Sequence, residues 1–315
     1  MRAGNRQDVA LLQLGRALKE IGYRFTSVTP ATHARINGRT GCDWARCAED
    51  VFGWSRPFHT HILPPALLEL MGAADVLASH QDGLRSTVRF SSLGNDLFAH
   101  SAYPTDGADS VFFGPDTYRF VAALDRWLSA RDRPIRRAAD IGCGAGPGAI
   151  LVASRHPDAE VLALDINDEA LRLASVNAAL AGVKNVVCAR SDLLSGVEGR
   201  FDLIVSNPPY LVDPDTRTYR HGGGGHGEGL SLAIAEQAGE RLNPDGSLVL
   251  YTGSAIVDGV DRFRHTLGTR HEGRAVEWSY EELDPDIFGE ELMQSAYADT
   301  QRIAAVLVTM TRTVR

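Results

Sequence analysis

From about Arg137 to the end, short aliphatic runs alternate with stretches of helical period, the pattern of a βαβ series folding into a parallel sheet. Ala138–Ile141, Val161–Asp165, Asn185–Ala189, Phe201–Val205 and Ser247–Tyr251 read as strands, with two later ones near Ala275–Trp278 and Ile303–Thr309. Between them, Pro147 suits the first turn of a helix running to Arg155. Asn167 is a good N-cap for a helix carrying Leu171, Ala174 and Ala178, which stops at Gly182. Leu230–Leu242 is a further helix. The first hundred residues differ: Val9–Ile21 is amphipathic, a second helix follows Pro64-Pro65, and Leu84–Phe90 and Asp96–Tyr103 read as strands joined at Gly94-Asn95. Pro104–Ser110 is a turn-rich joint, and Pro115–Ala130 a helix entering the sheet. The expectation is an α/β, seven-stranded Rossmann-like sheet, mostly parallel with an antiparallel late strand, over residues 110–315. A helical and hairpin accessory domain for substrate recognition precedes it at 1–109.

Composition narrows the class. At 315 residues, 44% hydrophobic and 23% charged, the chain can bury a full core. It has no apolar run long enough to span a membrane, and its start, Met1–Asp8, is polar, without the apolar core of a signal peptide. Four cysteines (Cys42, Cys47, Cys143, Cys188) are too few for a disulfide scaffold and point to a reducing cytoplasm. Up to Arg137 there are 17 basic against 14 acidic residues, and thereafter 15 against 26. The acidic larger part argues against nucleic acid as partner. Arg131, Arg133, Arg136 and Arg137 are the best local basic patch and read as a solvated linker.

The chemistry concentrates at strand ends. Asp140-Ile141-Gly142-Cys143-Gly144-Ala145-Gly146-Pro147-Gly148 sits where a strand turns into a helix. Glycines there let backbone approach a ligand. In a dinucleotide fingerprint the third glycine would fall at Pro147, which argues against a nicotinamide enzyme. Asp165 ends the next strand, where a carboxylate can accept from two ribose hydroxyls. Asp192 follows the third, where it can accept from an exocyclic adenine amine. Asn207-Pro208-Pro209-Tyr210 follows the fourth. The tandem prolines fix a rigid turn. The Asn207 side chain and the Pro208 carbonyl offer two acceptors for an NH₂ group, and Tyr210 a flat face for a planar amide or base.

These residues together resemble the class I S-adenosylmethionine-dependent methyltransferases, in the branch with an N-P-P-Y motif that includes the release-factor and ribosomal-protein glutamine N5-methyltransferases. The resemblance covers 111 to about 255. It implies S-adenosyl-L-methionine as cofactor, bound by Thr117, Asp140, Gly142, Gly144, Gly146, Asp165, Ile166, Asp192, Leu193 and Asn207. Asn207, Pro208, Pro209 and Tyr210 become the catalytic set. It also implies N-methylation of a protein side-chain amide or amine; a small metabolite or peptide natural product is the alternative acceptor, and a nucleic-acid amine the third. Where that family carries Pro-Arg-Pro-Glu-Thr, this chain has Phe113-Gly114-Pro115-Asp116-Thr117. The glycine-rich stretch Tyr219–Leu230 reads as a mobile lid, with His221, His226, Glu228 and Tyr210 as substrate contacts. The acidic run Glu281–Glu291 reads as a solvated insertion. Cys42 and Cys47, four apart and near His33, His59 and His61, lack the usual zinc spacing, so no metal is expected.

Overall fold

The computed structural model describes residues 6–213 and 219–313; the first five residues of the polar start lie outside it. The N-terminal part opens with α1 (Arg6–Glu20), which buries Leu11, Leu14 and Leu18. Short helices α2 (Pro30–Asn37), α3 (Ala48–Phe52) and α4 (Pro65–Ala73) follow. Two hairpins come next: β1 (Leu77–His80) with β2 (Gly83–Ser86), and β3 (Val88–Leu93) with β4 (Asp96–Ser101). The single strand expected over Leu84–Phe90 is therefore divided at Thr87. There the Thr87 N–H leaves the ladder to donate to the Val76 carbonyl at 3.0 Å. The residues before it pair back onto β1, and those after it pair forward around Gly94, whose φ is +59°.

The second part runs α5 (Pro115–Ser129), β5 (Arg137–Ile141), α6 (Pro147–Arg155), β6 (Glu160–Asp165), α7 (Asp168–Ala181), β7 (Val186–Arg190) and β8 (Phe201–Ser206). It continues with α8 (Gly229–Arg241), β9 (Leu242–Val257), β10 (Val260–Asp261), α9 (Arg262–His271), β11 (Val276–Asp284) and β12 (Thr300–Arg312). The sheet order is β11-β12-β9-β8-β5-β6-β7, with β10 beside β9. Strands β5 to β9 are parallel; β12 is antiparallel to both β9 and β11. The chain starts at β5, steps outward to β7, then returns to β8 on β5's other flank. The carboxyl ends of β5 and β8 thus meet at a topological switch, with Ile141 opposite Ser206.

Helix α7 shows how local chemistry fixes an element. Asn167 accepts from the Glu169 N–H at 3.0 Å, and Gly182 closes the helix at φ +78°. One α7 face, Leu173, Val176 and Leu180, is continuous with the N-terminal core of Leu11, Leu14 and Phe90. Asn177, fully buried, completes the seam: its Oδ1 accepts from Ala99 N at 2.8 Å, and its Nδ2 donates to the Ala99 and Ala145 carbonyls at 2.9 Å each. Among the described residues no helix is long and apolar enough to cross a membrane.

Candidate active site

A cavity opens over the carboxyl ends of β5, β6, β7 and β8. Its floor begins with the turn after β5. Gly142 and Gly144 have φ of +67° and +52°, conformations that cost a side-chain residue energy. A Cβ at either would meet no protein atom within 4 Å, so backbone faces open space there. Asp165 braces this turn: its Oδ2 accepts from Gly144 N at 3.0 Å and its Oδ1 from Asn167 N at 2.9 Å. Each oxygen keeps a lone pair for a hydroxyl donor. Burial raises the Asp165 pKa, and these backbone donors oppose the rise. Ile166, 45% exposed, and Leu193 add apolar surface beside the exposed Asp192 carboxylate.

Two residues assigned to the cofactor lie off the wall. Asp140 is 2% exposed, behind the loop, where its Oδ2 accepts from Ala149 N at 2.8 Å. Burial pushes its pKa up to about 7, against the pull of that N–H and with the push of the Asp165 charge. From there it holds the first turn of α6. Gly146, at φ +85°, packs α6 against α7; a Cβ there would lie 3.1 Å from the Ala174 Cβ.

Asn207, Pro208, Pro209 and Tyr210 form the opposite wall. Ser206 ties this turn to its neighbour by donating its hydroxyl to the Ile141 carbonyl at 2.7 Å. The Asn207 amide makes no hydrogen bond among the described residues, whereas the Asn177 amide is engaged at both its oxygen and its nitrogen and Asn185 Nδ2 donates to three carbonyls. Tyr210 is 7% exposed, edge-on to Tyr251 at 6.2 Å between ring centres and 6.1 Å from Phe288. Beneath it Tyr251 donates to Asp116 Oδ1 at 3.0 Å. Burial raises the Asp116 pKa and holds the Tyr210 phenol neutral well above its ordinary range. Thr117 is on the wall and takes the Gly114 N–H on its Oγ1 at 3.3 Å, fixing the start of α5.

The glycine-rich stretch expected as a mobile lid packs as a strap on the N-P-P-Y turn. Gly222 N donates to the Leu211 carbonyl at 2.8 Å, and Leu230 N to the Gly222 carbonyl at 2.7 Å. A Cβ on Gly222 would lie 2.7 Å from the Pro209 oxygen, and one on Gly227 2.2 Å from the Tyr210 oxygen. The glycines therefore serve close backbone packing on the N-P-P-Y turn. The expected substrate contacts His221, His226 and Glu228 are not among the described residues that line the cavity. His221 takes the Asp213 N–H on Nδ1, Glu228 takes the His226 N–H, and His226 pairs with Asp299 at 2.9 Å. One polar atom of each thus holds the strap or ties it to the segment before β12.

Tyr219 and Arg220, from the same stretch, and Phe112 and Phe288 are on the wall, and none was given a site role from the sequence. Arg220 is held by buried Glu291, so the acidic run Glu281–Glu291 is not wholly solvated; it carries Phe288 to the site. Gly253 was also missed: a Cβ there would meet the Tyr210 ring at 2.4 Å. A glycine inside a strand was its only signal. Among the described residues no group of three or more His, Cys, Asp or Glu is arranged to hold a metal.

A family model of the methyltransferase small domain matches residues 122–257. A ribosomal protein uL3 glutamine methyltransferase of Xylella fastidiosa is 30% identical over 217 residues, covering 62% of this chain and 69% of its own. Its counterpart from Xanthomonas campestris pv. campestris is 33% identical over 173 residues, 51% of this chain and 56% of that one. A release factor glutamine methyltransferase of Deinococcus radiodurans is 39% identical over 127 residues, 36% and 44% of the two chains. The chain thus spans about half the length of these last two relatives. In fold it resembles the tRNA m1G37 methyltransferase of M. jannaschii, with TM-score 0.51 and 13% identity over 75% of this chain and 60% of that one.

Proposed function

Because the chain belongs to the methyltransferase small-domain family of class I S-adenosylmethionine-dependent enzymes, we propose that it methylates a side-chain amide nitrogen of a protein. The reading is carried by one observation: the unspent Asn207 amide shares a cavity with the Gly144 backbone and the Asp165 carboxylate. The site fits the cofactor. Asp165 retains acceptor capacity for a ribose diol, the positive-φ glycines leave backbone bare beside open space, and Ile166 and Leu193 offer apolar surface for a purine. When bound, S-adenosylmethionine supplies an electrophilic methyl group on a sulfonium.

The protein's own part is positioning. Asn207 Oδ1 and the Pro208 carbonyl each accept one N–H of the incoming amide, which fixes its plane against the Tyr210 ring. Phe112, Phe288 and Pro30 line the same cavity with apolar surface, which strengthens those two bonds. An amide is neutral before reaction and its nitrogen grows acidic as it gains carbon, so its proton can pass to water. Orientation supplies most of the acceleration. The names of the relatives point to a glutamine in a ribosomal protein or release factor as acceptor. The four free thiols support a cytoplasmic setting.

The test is incubation with methyl-labelled S-adenosylmethionine and fractionated lysate, followed by peptide mass spectrometry. The expected result is one methyl on a glutamine or asparagine nitrogen. Label entering only RNA or small molecules, or carbon found on oxygen, would overturn the reading.

A further inference from the structure

Three carboxylates line the active-site cavity among the described residues: Asp192 after β7, Asp165 at the end of β6, and Asp116 in the first turn of α5. The sheet runs β9-β8-β5-β6-β7, so Asp192 and Asp165 stand toward one end of the cavity. Asp116 stands toward the other, bonded to Tyr251 of β9 and beneath Tyr210, which follows β8. A cofactor with its purine beside Asp192 and its ribose on Asp165 therefore extends its remaining part toward Asp116.

The charge on Asp116 is incompletely cancelled. The residue is 5% exposed, and its one ion pair among the described residues is with Arg119. Arg119 Nη1 is 3.4 Å from Asp116 Oδ1, while its Nη2 is 2.9 Å from Asp284 Oδ2. One guanidinium thus serves two carboxylates, and the group keeps a net negative charge. Arg220, the one cation on the wall among the described residues, is held by buried Glu291. Burial raises the Asp116 pKa, and the Tyr251 hydroxyl, Arg119 and the Tyr210 phenol pull it back. The first turn of a helix also favours an anion. A carboxylate so placed attracts a cation in the cavity more strongly than one in water does.

We propose that Asp116 is the counter-charge for the sulfonium of the bound cofactor, and that it shifts the affinity of the site away from the spent cofactor and toward S-adenosylmethionine. S-adenosylhomocysteine keeps the purine, ribose, amino and carboxylate groups but has a neutral thioether in place of the sulfonium. Transfer of the methyl group therefore removes the charge that Asp116 holds, which favours exchange of the spent cofactor for a fresh one. The inference rests on the cofactor alone and stands whichever acceptor is methylated.

The test is calorimetric titration of the full chain with S-adenosylmethionine, S-adenosylhomocysteine and sinefungin, whose extra ammonium stands where the sulfonium methyl does. Asp116→Asn keeps the shape and still accepts from Tyr251, but carries no charge. It is expected to weaken S-adenosylmethionine and sinefungin by about tenfold and S-adenosylhomocysteine by less than about twofold. Arg119→Gln, at a side chain 37% exposed, does the converse by leaving Asp116 less neutralised. It is expected to raise the ratio of S-adenosylmethionine to S-adenosylhomocysteine affinity by about two- to threefold. That second variant decides the matter where Asp116→Asn does not fold. Equal weakening of all three ligands in Asp116→Asn overturns the inference, because it places Asp116 on a part they share, such as the amino group. So does unchanged binding in Asp116→Asn, or a ratio in Arg119→Gln that stays at the wild-type value. These titrations contain no acceptor, so failure of the amide-methylation reading appears separately, as no methylated peptide with the charge dependence intact.

Discussion

Asp165 and Asn207 face the same cavity but are committed differently. Asp165 is already bound to two backbone N–H groups, and Asn207 to nothing among the described residues. Asn207→Ala should therefore leave cofactor affinity nearly unchanged and lower turnover by about two orders of magnitude or more. Asp165→Ala should weaken the cofactor first. Calorimetry paired with single-turnover kinetics separates the two, and loss of cofactor binding in Asn207→Ala would contradict the division of roles. Asp140 makes a different prediction because it is buried behind the cavity wall. Between its ordinary value of 3.8 and about 7, the folded chain keeps a proton that the unfolded chain has released. Stability attributable to this group is thus fully present at low pH and declines as pH rises through that window. Asp140→Asn, which still accepts the Ala149 N–H, should flatten this part of the stability–pH curve measured by urea unfolding. The motif residues were legible in the sequence because strand ends concentrate chemistry in such sheets. That Asp140 and Gly146 stand behind the wall was not, because a motif gives proximity along the chain and not the direction of a side chain.

At the scale of elements, local signals were readable wherever they were strong. The Asn167 cap, the Gly182 stop and the apolar run of β6 all appear where the pattern puts them. What escaped had weak signals. Helix α2 buries only His33, and α9 only Phe263, Leu267 and His271, so neither has a long apolar stripe. The strap escaped for another reason. Glycines read equally well as freedom or as close approach, and only the backbone of Pro209 and Tyr210 pressed against it decides between them. Phe288 and Arg220 are set by tertiary contact across some seventy residues, as in the Arg220–Glu291 pair, and no local spacing announces that. Gly227→Ala tests the strap. With φ at +93° and the Tyr210 oxygen 2.2 Å from the new Cβ, it should cost about 1–3 kcal/mol in urea unfolding and reduce turnover more than cofactor affinity. If turnover is unchanged, the strap does not shape the N-P-P-Y turn.

Across the whole molecule the two parts are not joined by a linker alone. The N-terminal part supplies Pro30 to the cavity wall, and the joint supplies Ser110, Val111 and Phe112. Its core also continues into the face of α7, so the boundary expected near 109 and 110 runs along shared packing. Asn177 bonds across that seam to the N–H and carbonyl of Ala99, and on its own side to the Ala145 carbonyl. Asn177→Leu preserves approximate volume but strands those groups, at a cost of about 3 kcal/mol or more. The tryptophans allow each side to be watched separately, since Trp44 and Trp54 report the N-terminal part and Trp127 and Trp278 the sheet. In variants keeping one pair, both midpoints in urea should coincide, and Asn177→Leu should lower both together. An N-terminal part that folded on its own would keep its midpoint while the sheet's fell. Coincident midpoints would mean that the cavity wall and the sheet behind it form and fail as one unit, which a site assembled from both parts requires.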